Sequence, residues 1–278
     1  MSVELLQYVP LENWRKLKSV FKSDWPRSIS GFTILDTMEY IHKQGLDYGF
    51  KVYCPLGNVM NGIVALNVKP NYYEVVIQCP NDDTSDLYEA LKQTKVIDWT
   101  KPIEVPYAPK NVIECVKRII AERDLKIDHT TVTETFLLDA ESLLFDVRLP
   151  ADYSFKLLSL EYLNIIDSVW PHRYPGSDWY FTLLIKSKLG YGLFKDNELI
   201  TWVFVKEMGA LGHLYTVEKE RRKGYGELVL KLISNILLNE KKNVVAFCVE
   251  GNAKAYNLYK KLGFKSVVDV YWCNFSQK

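Results

Sequence analysis

The sequence has almost no net charge: 35 Lys and Arg against 34 Asp and Glu leave +1 over 278 residues. That balance excludes a general nucleic-acid-coating protein, whose affinity comes from many cations meeting phosphates. Long apolar runs are missing too. No stretch approaches the ~18 apolar residues of a membrane span, and the opening MSVELLQYVPLENWRKLK lacks a basic region followed by an apolar one. Cysteine is scarce: Cys54, Cys79, Cys115, Cys248 and Cys273 are odd in number and far apart. They show no C-x-x-C spacing and no neighbouring His, which argues against a disulfide framework or a metal site. Neither a G-x-x-x-x-G-K-[ST] phosphate loop nor a three-glycine dinucleotide fingerprint occurs, so both nucleotide folds are excluded. These absences predict a soluble protein with reduced thiols in the cytoplasm or mitochondrion, with no metal, no nucleic acid and no membrane partner.

What is present is a 48% hydrophobic chain, long enough for two ordinary domains. The neutral sum hides an asymmetry. Residues 151–278 carry 18 basic and 13 acidic side chains, whereas residues 1–150 carry 17 and 21. Apolar spacing predicts helices over residues 11–22, 34–43, 85–93 and 112–123, with strands over 49–53, 62–68, 72–79, 103–106 and 131–138. The pattern restarts near Arg148. It predicts a strand over 155–160, helices over 161–170 and 178–188, the second closed by Gly190, and a hairpin turning at Asp196-Asn197. Strands over 211–217, 244–249 and 267–275 then alternate with helices over 225–240 and 252–262.

The informative stretch runs from Gly212 to Phe264. An extended segment, His213-Leu-Tyr-Thr-Val217, leads into the basic loop Arg221-Arg-Lys-Gly-Tyr-Gly226 and a strongly amphipathic helix. Strand, basic glycine loop and helix start present free N–H groups and a positive helix end to an anion. The apolar run 244–249 suits a strand buried on both faces. Asn252 is a suitable helix cap, and Gly263 supplies the stop.

R-x-x-G-x-G over 221–226, followed by N-x-x-A-x-x-L-Y-x-x-x-G-F over 252–264, resembles the two motifs of the GNAT superfamily of acyl-CoA-dependent N-acyltransferases. The length and the segment 208–216 are most similar to its glycine N-acyltransferase-like group. The resemblance implies an α/β (α+β) fold with a mixed, largely antiparallel sheet flanked by helices. It also implies a divergent GNAT-like half over residues 1–147 and an acyl-CoA-binding half over 148–278. Leu214, Tyr215 and Thr216 would meet the pantetheine arm of acetyl-CoA or a longer acyl-CoA. Arg221, Arg222, Lys223, Gly224, Tyr225 and Gly226 would hold the pyrophosphate, and Asn252 would lie near the pantetheine. Tyr259 stands where the family has a general acid for the departing thiolate.

One departure matters. Where glycine N-acyltransferases carry a glutamate base, this chain aligns Ala210. His213 is the replacement considered, although strand alternation puts it on the face opposite residue 210. Glu207 and Glu250 are further carboxylate candidates, with surface or strand-end positions as the simpler expectation. The aromatic block 170–179, with His172 and Arg173, lies where the acceptor would bind. His42 and His129 are expected to be structural. The implied reaction moves an acyl group from acyl-CoA to a primary amine, glycine or another amino acid first, by direct attack in a ternary complex. The competing expectation is an inactive acyl-CoA-binding or regulatory protein that has lost its base.

Overall fold

The computed structural model describes residues 3–278, and the twelve strands among them join one sheet. In the first half these are β1 (Leu6–Tyr8), β2 (Lys51–Pro55), β3 (Ile63–Lys69), β4 (Tyr72–Gln78), β5 (Ile103–Pro109) and β6 (Leu125–Leu138). The second half adds β7 (Tyr153–Leu157), β8 (Gly190–Lys195), β9 (Glu198–Val205), β10 (Ala210–Thr216), β11 (Val244–Val249) and β12 (Lys265–Gln277). Their spatial order is β1-β2-β3-β4-β5-β12-β6-β11-β10-β9-β8-β7. Only β4 with β5 and β10 with β11 run parallel; the other neighbours are antiparallel.

This order is a reciprocal exchange. β12, from the second half, lies between β5 and β6, while β6, from the first half, lies between β12 and β11. Leu137 pairs with Lys265 at one end of the β6–β12 ladder and Leu125 with Gln277 at the other. Phe136, Val270, Cys273 and Phe275 are buried within this region, so each half completes its core with a strand from the other.

The helices are α1 (Trp14–Ser23), α2 (Ile29–Lys43), α3 (Ser85–Gln93), α4 (Lys110–Glu122), α5 (Leu163–Ser168), α6 (Asp178–Lys186), α7 (Tyr225–Asn239) and α8 (Ala253–Lys261). None is long and apolar enough to cross a membrane.

Several sequence-based boundaries move, each for a local reason. The helix expected over 11–22 starts as a 3₁₀ turn after Pro10 and becomes α-helical at Trp14. The helix expected from residue 34 begins at Ile29, because Gly31 lets the Phe21 ring approach where a Cβ would stand only 3.0 Å away. The helix over 161–170 shortens to a 3₁₀ turn and the six residues of α5. Lys188, at φ 58°, rather than Gly190, turns the chain after α6; Gly190 opens β8, where a Cβ would lie 2.5 Å from Phe204. β6 starts at Leu125 rather than 131, because β12 pairs with its polar first half and extends it. The hairpin turn at Asp196 and Asn197 is as expected, both residues having positive φ.

Candidate active site

β10 and β11 are paired at two positions only, Ala210 with Val245 and Leu211 with Ala246. Beyond them β10 follows β9, pairing Tyr215 with Trp202 and Thr216 with Thr201. β11 follows β6 instead, pairing Phe247 with Thr135 and Val249 with Thr133. A wedge-shaped gap opens between two parallel strands. Its cause is a bulge between Gly212 and Tyr215, with His213 at φ 53°.

The basic loop lies past the end of β10. Arg221 lays its guanidinium 5.0 Å from the Tyr215 ring centre, and its Nε donates to the Thr216 carbonyl at 3.1 Å. Lys223 pairs with Glu220 at 3.0 Å. Gly224 is the N-cap of α7 in the left-handed conformation, φ 84°, and no side chain caps that helix. A Cβ at Gly224 would meet nothing within 4 Å, and one at Gly226 would meet only Leu214 at 3.8 Å. Free N–H groups and the helix dipole therefore face open space, beside the exposed Arg222 and beside Arg221 and Lys223, which pair with Glu218 and Glu220. These features suit a pyrophosphate, and the gap behind them suits a chain that bonds to strand edges. Tyr225 completes the loop, sharing a 2.6 Å hydrogen bond with Tyr153.

The first half repeats the geometry but closes it. β4 and β5 pair only at Glu74 with Glu104. Across the region beyond, Gln78 Nε2 donates to the Tyr107 carbonyl at 3.0 Å. Asn111 Nδ2 donates to the carbonyls of Cys79 and Asn81 at 3.2 and 2.6 Å. The loop before α3 carries Asp82 and Asp83, and Asp83 accepts from the Ser85 N–H at 2.9 Å. Asp82 pairs with Arg27, so this loop carries two carboxylates and one cation where the second half carries Arg221–Lys223. The acidic excess of residues 1–150 includes these two groups.

On α8, Tyr259 packs between Phe136 and Phe264, with ring centres 5.3 and 5.5 Å away. Burial pushes its phenol up to about 12, so at neutral pH it is a donor. Asn252 caps α8 by accepting from the Ala255 N–H at 3.2 Å.

The opposite face of the sheet holds a polar cluster that joins the halves. Glu207 is 1% exposed, in the turn between β9 and β10. Lys69 reaches it at 2.6 Å from the end of β3, and the Tyr180 hydroxyl donates to its other oxygen. Lys69 also pairs with Glu74 at 2.9 Å, and Asn67 donates to Glu74 at 2.6 Å. Burial raises the Glu207 carboxyl, but Lys69 and Lys206 outweigh it and hold it down at about 2. The surface position expected for Glu207 is thus incorrect. Glu250 is exposed.

His213 also departs from expectation. The bulge resets alternation, so its ring packs on Phe204, the partner of Gly212, on the same face as Ala210. Trp170, Tyr180 and Phe181 complete its surroundings, with ring centres 5.1–5.6 Å away. Burial, with Lys206 next, pushes its imidazole down to about 3, and its Nε2 is buried without a partner. Arg173 is committed to Asp167 at 2.7 Å, while His172 is exposed. His42 faces Asp47 at 3.8 Å and His129 faces Thr131 at 2.6 Å, both local contacts.

Sequence patterns did not single out Glu104 and Lys206. Burial, with Glu74 next, pushes the Glu104 carboxyl up to about 7. Lys206 lays its stem across Gly212, where a Cβ would stand 2.6 Å from its Cδ, and holds its ammonium 5.5 Å from the Trp272 ring centre. A lone charged residue reads as solvated in the sequence; only the assembled sheet shows that both are half-buried.

Comparison with known proteins agrees with this geometry. The family model for FR47-like protein matches residues 190–273. No curated protein matches the chain. Among solved structures, a Drosophila protein from a structural-genomics consortium superposes with a TM-score of 0.84 at 19% identity, over 98% of both chains. A GNAT-family acetyltransferase from Colwellia psychrerythraea gives 0.54 at 15% identity, over 98% of this chain and 99% of that one. A tandem GNAT protein from the clavulanic acid biosynthesis pathway gives 0.55 at 12%, over 96% and 97%. The chain has a GNAT-like mixed α/β fold, with a largely antiparallel sheet flanked by helices.

Proposed function

We propose that the chain transfers an acyl group from coenzyme A to a primary amine, by direct attack in a ternary complex. The observation that carries this reading is the gap between β10 and β11 leading to the basic, uncapped start of α7. Its counterpart in the first half is bridged by Gln78 and Asn111 and lacks the basic loop, so one acyl-CoA binds per chain, at residues 148–278. Arg221, Arg222, Lys223 and the N–H groups from Gly224 to Gly226 hold the pyrophosphate. Leu214, Tyr215 and Thr216 offer strand edges to the pantetheine, with Asn252 across the gap. The bound thioester supplies the activated acyl carbon, and the chain supplies position and proton management.

Tyr259 donates a proton to the leaving sulfur. On the other face, the neutral His213 accepts a hydrogen bond from the incoming amine. With its conjugate acid near 3, it orients the amine rather than storing the proton. Glu104, near 7, is the carboxyl suited to hold a proton at neutral pH. The acceptor is a small molecule, with glycine or another amino acid first in order. In support, Asn71 of the first half donates to the Pro175 carbonyl at 2.7 Å, and Tyr72 packs on Tyr174 at 5.3 Å. These contacts roof the aromatic block that borders His213.

Thiol release from acetyl-CoA and longer acyl-CoAs, measured against amino acids and polyamines, tests the proposal. Release dependent on an amino acid is expected. Tight acyl-CoA binding with no release for any amine would overturn the catalytic reading and leave a binding protein.

A further inference from the structure

Among the described residues, Lys206 is a half-buried cation whose ammonium has no ion pair or hydrogen bond, although the neighbouring Glu207 carboxylate has both. Its place follows from the strand pairing. Gly212, over which its stem lies, is the first β10 residue past the last paired position, Leu211. Trp272, beneath its ammonium, contacts Phe247, the first residue of β11 past the same point. Lys206 therefore lies at the apex of the wedge, on the face away from α8, where an acyl group entering from the α7 side emerges.

We infer that Lys206 is a self-acylation site: its amine takes the acyl group from the protein's own bound acyl-CoA. This rests on the proposed cofactor gap. The amine reacts in its neutral form, having released one proton to water. A bond forms between Nζ and the acyl carbon as the carbon–sulfur bond breaks. The sulfur leaves with the electron pair and takes up the proton that Nζ loses on becoming an amide. The products are N-acyl-Lys206 and free coenzyme A, with no other reactant.

The environment shifts the amine toward its neutral form. Burial lowers the Lys206 pKa, and Lys69 on β3 adds to this, against the raising effect of Glu207 in its own turn, Glu74 on β4 and Glu104 on β5. The resulting amide would remove a charge from the apex and leave an acyl group there. Accumulated label would therefore slow transfer to an external amine.

The test incubates the full chain with acetyl-CoA and no amine, and follows intact mass, peptide mapping and the melting temperature. The expected result is one acetyl group, on Lys206, absent from both K206R and K206M. Gly224→Glu should abolish the labelling. A raised melting temperature with Lys206 unlabelled would overturn the self-acylation and leave the cofactor site standing. Labelling of Lys206 that persists undiminished in Gly224→Glu would overturn it as ordinary chemical acetylation. An unchanged melting temperature with no label anywhere would overturn both readings.

Discussion

Leu211 and Ala246 are the last paired residues of β10 and β11, and the next residue on each strand turns toward a different neighbour. A parallel pair that continued would bury its N–H and C=O groups in a ladder. Parting them leaves strand edges for a ligand and exposes the uncapped start of α7. The bulge at His213 both opens the gap and carries that ring onto the face that holds Ala210 and Phe204.

Gly224→Glu should weaken coenzyme A binding ~10²–10³-fold, because a carboxylate would occupy the anion position at a cost of several kcal/mol. Any side chain at φ 84° also carries strain of ~1–2 kcal/mol. Gly224→Ala is the control: it should lose comparable stability yet retain most affinity, since its Cβ meets nothing within 4 Å. Titration calorimetry of both variants checks this. The wild-type stoichiometry should be one per chain.

Tyr259→Phe should lower turnover ~10²-fold with little change in acyl-CoA affinity, as expected for loss of a positioned proton donor. The ring contacts with Phe136 and Phe264 survive the change. Steady-state kinetics and binding on the same preparation separate the two effects. Unchanged turnover would reduce Tyr259 to packing.

Lys69→Met should destabilise the protein by ~3–5 kcal/mol, because Glu207 and Glu74 would lose the cation that both contact. Adding Glu207→Gln should recover part of that loss. Urea denaturation of the single and double variants measures it. Wild type should also weaken as pH falls from about 4.5 toward 2. Glu207 is held below its ordinary value, so its contribution is full above the unfolded pKa and is lost through the folded one.

Glu104 has the opposite sign. Its folded pKa near 7 exceeds the unfolded 4.5, so the folded state binds more protons between those values. Stability from this group falls as pH rises through that window, and Glu104→Gln should remove the effect. His213, neutral in the fold down to about 3, lowers stability as pH falls below 6.5. The two trends oppose each other between pH 4.5 and 6.5. Thermal melts of Glu104→Gln and His213→Gln across that range should diverge in opposite directions from wild type.

The basic glycine loop before α7 was legible because its pattern is local. Two glycines, three cations and a helix start lie within a few residues, and Asn252 to Phe264 is one capped helix. The polar cluster on the opposite face was not. Lys69, Glu74, Glu104 and Lys206 lie on four separate segments, and each looks like an ordinary solvated charge until the halves close over them. Alternation failed at His213 because a bulge inserts a residue that periodicity does not reveal. The exchange of β6 and β12 pairs residues such as Leu125 and Gln277, and such distant pairing leaves no local trace.

That exchange makes a prediction of its own. Residues 1–147 expressed alone would lack β12 and leave β5 and β6 without the strand between them. Residues 148–278 alone would lack β6 between β11 and β12. Each fragment would expose apolar surface around Phe136, Val270 and Phe275 together with unpaired strand edges, so each should aggregate or remain unfolded. Co-expression should restore a soluble one-to-one complex, because antiparallel pairing across β5, β12, β6 and β11 needs no covalent link between residues 147 and 148. Gel filtration and circular dichroism of the fragments, apart and together, decide the matter. Two independently folded, monomeric fragments would show that the exchanged strands are dispensable.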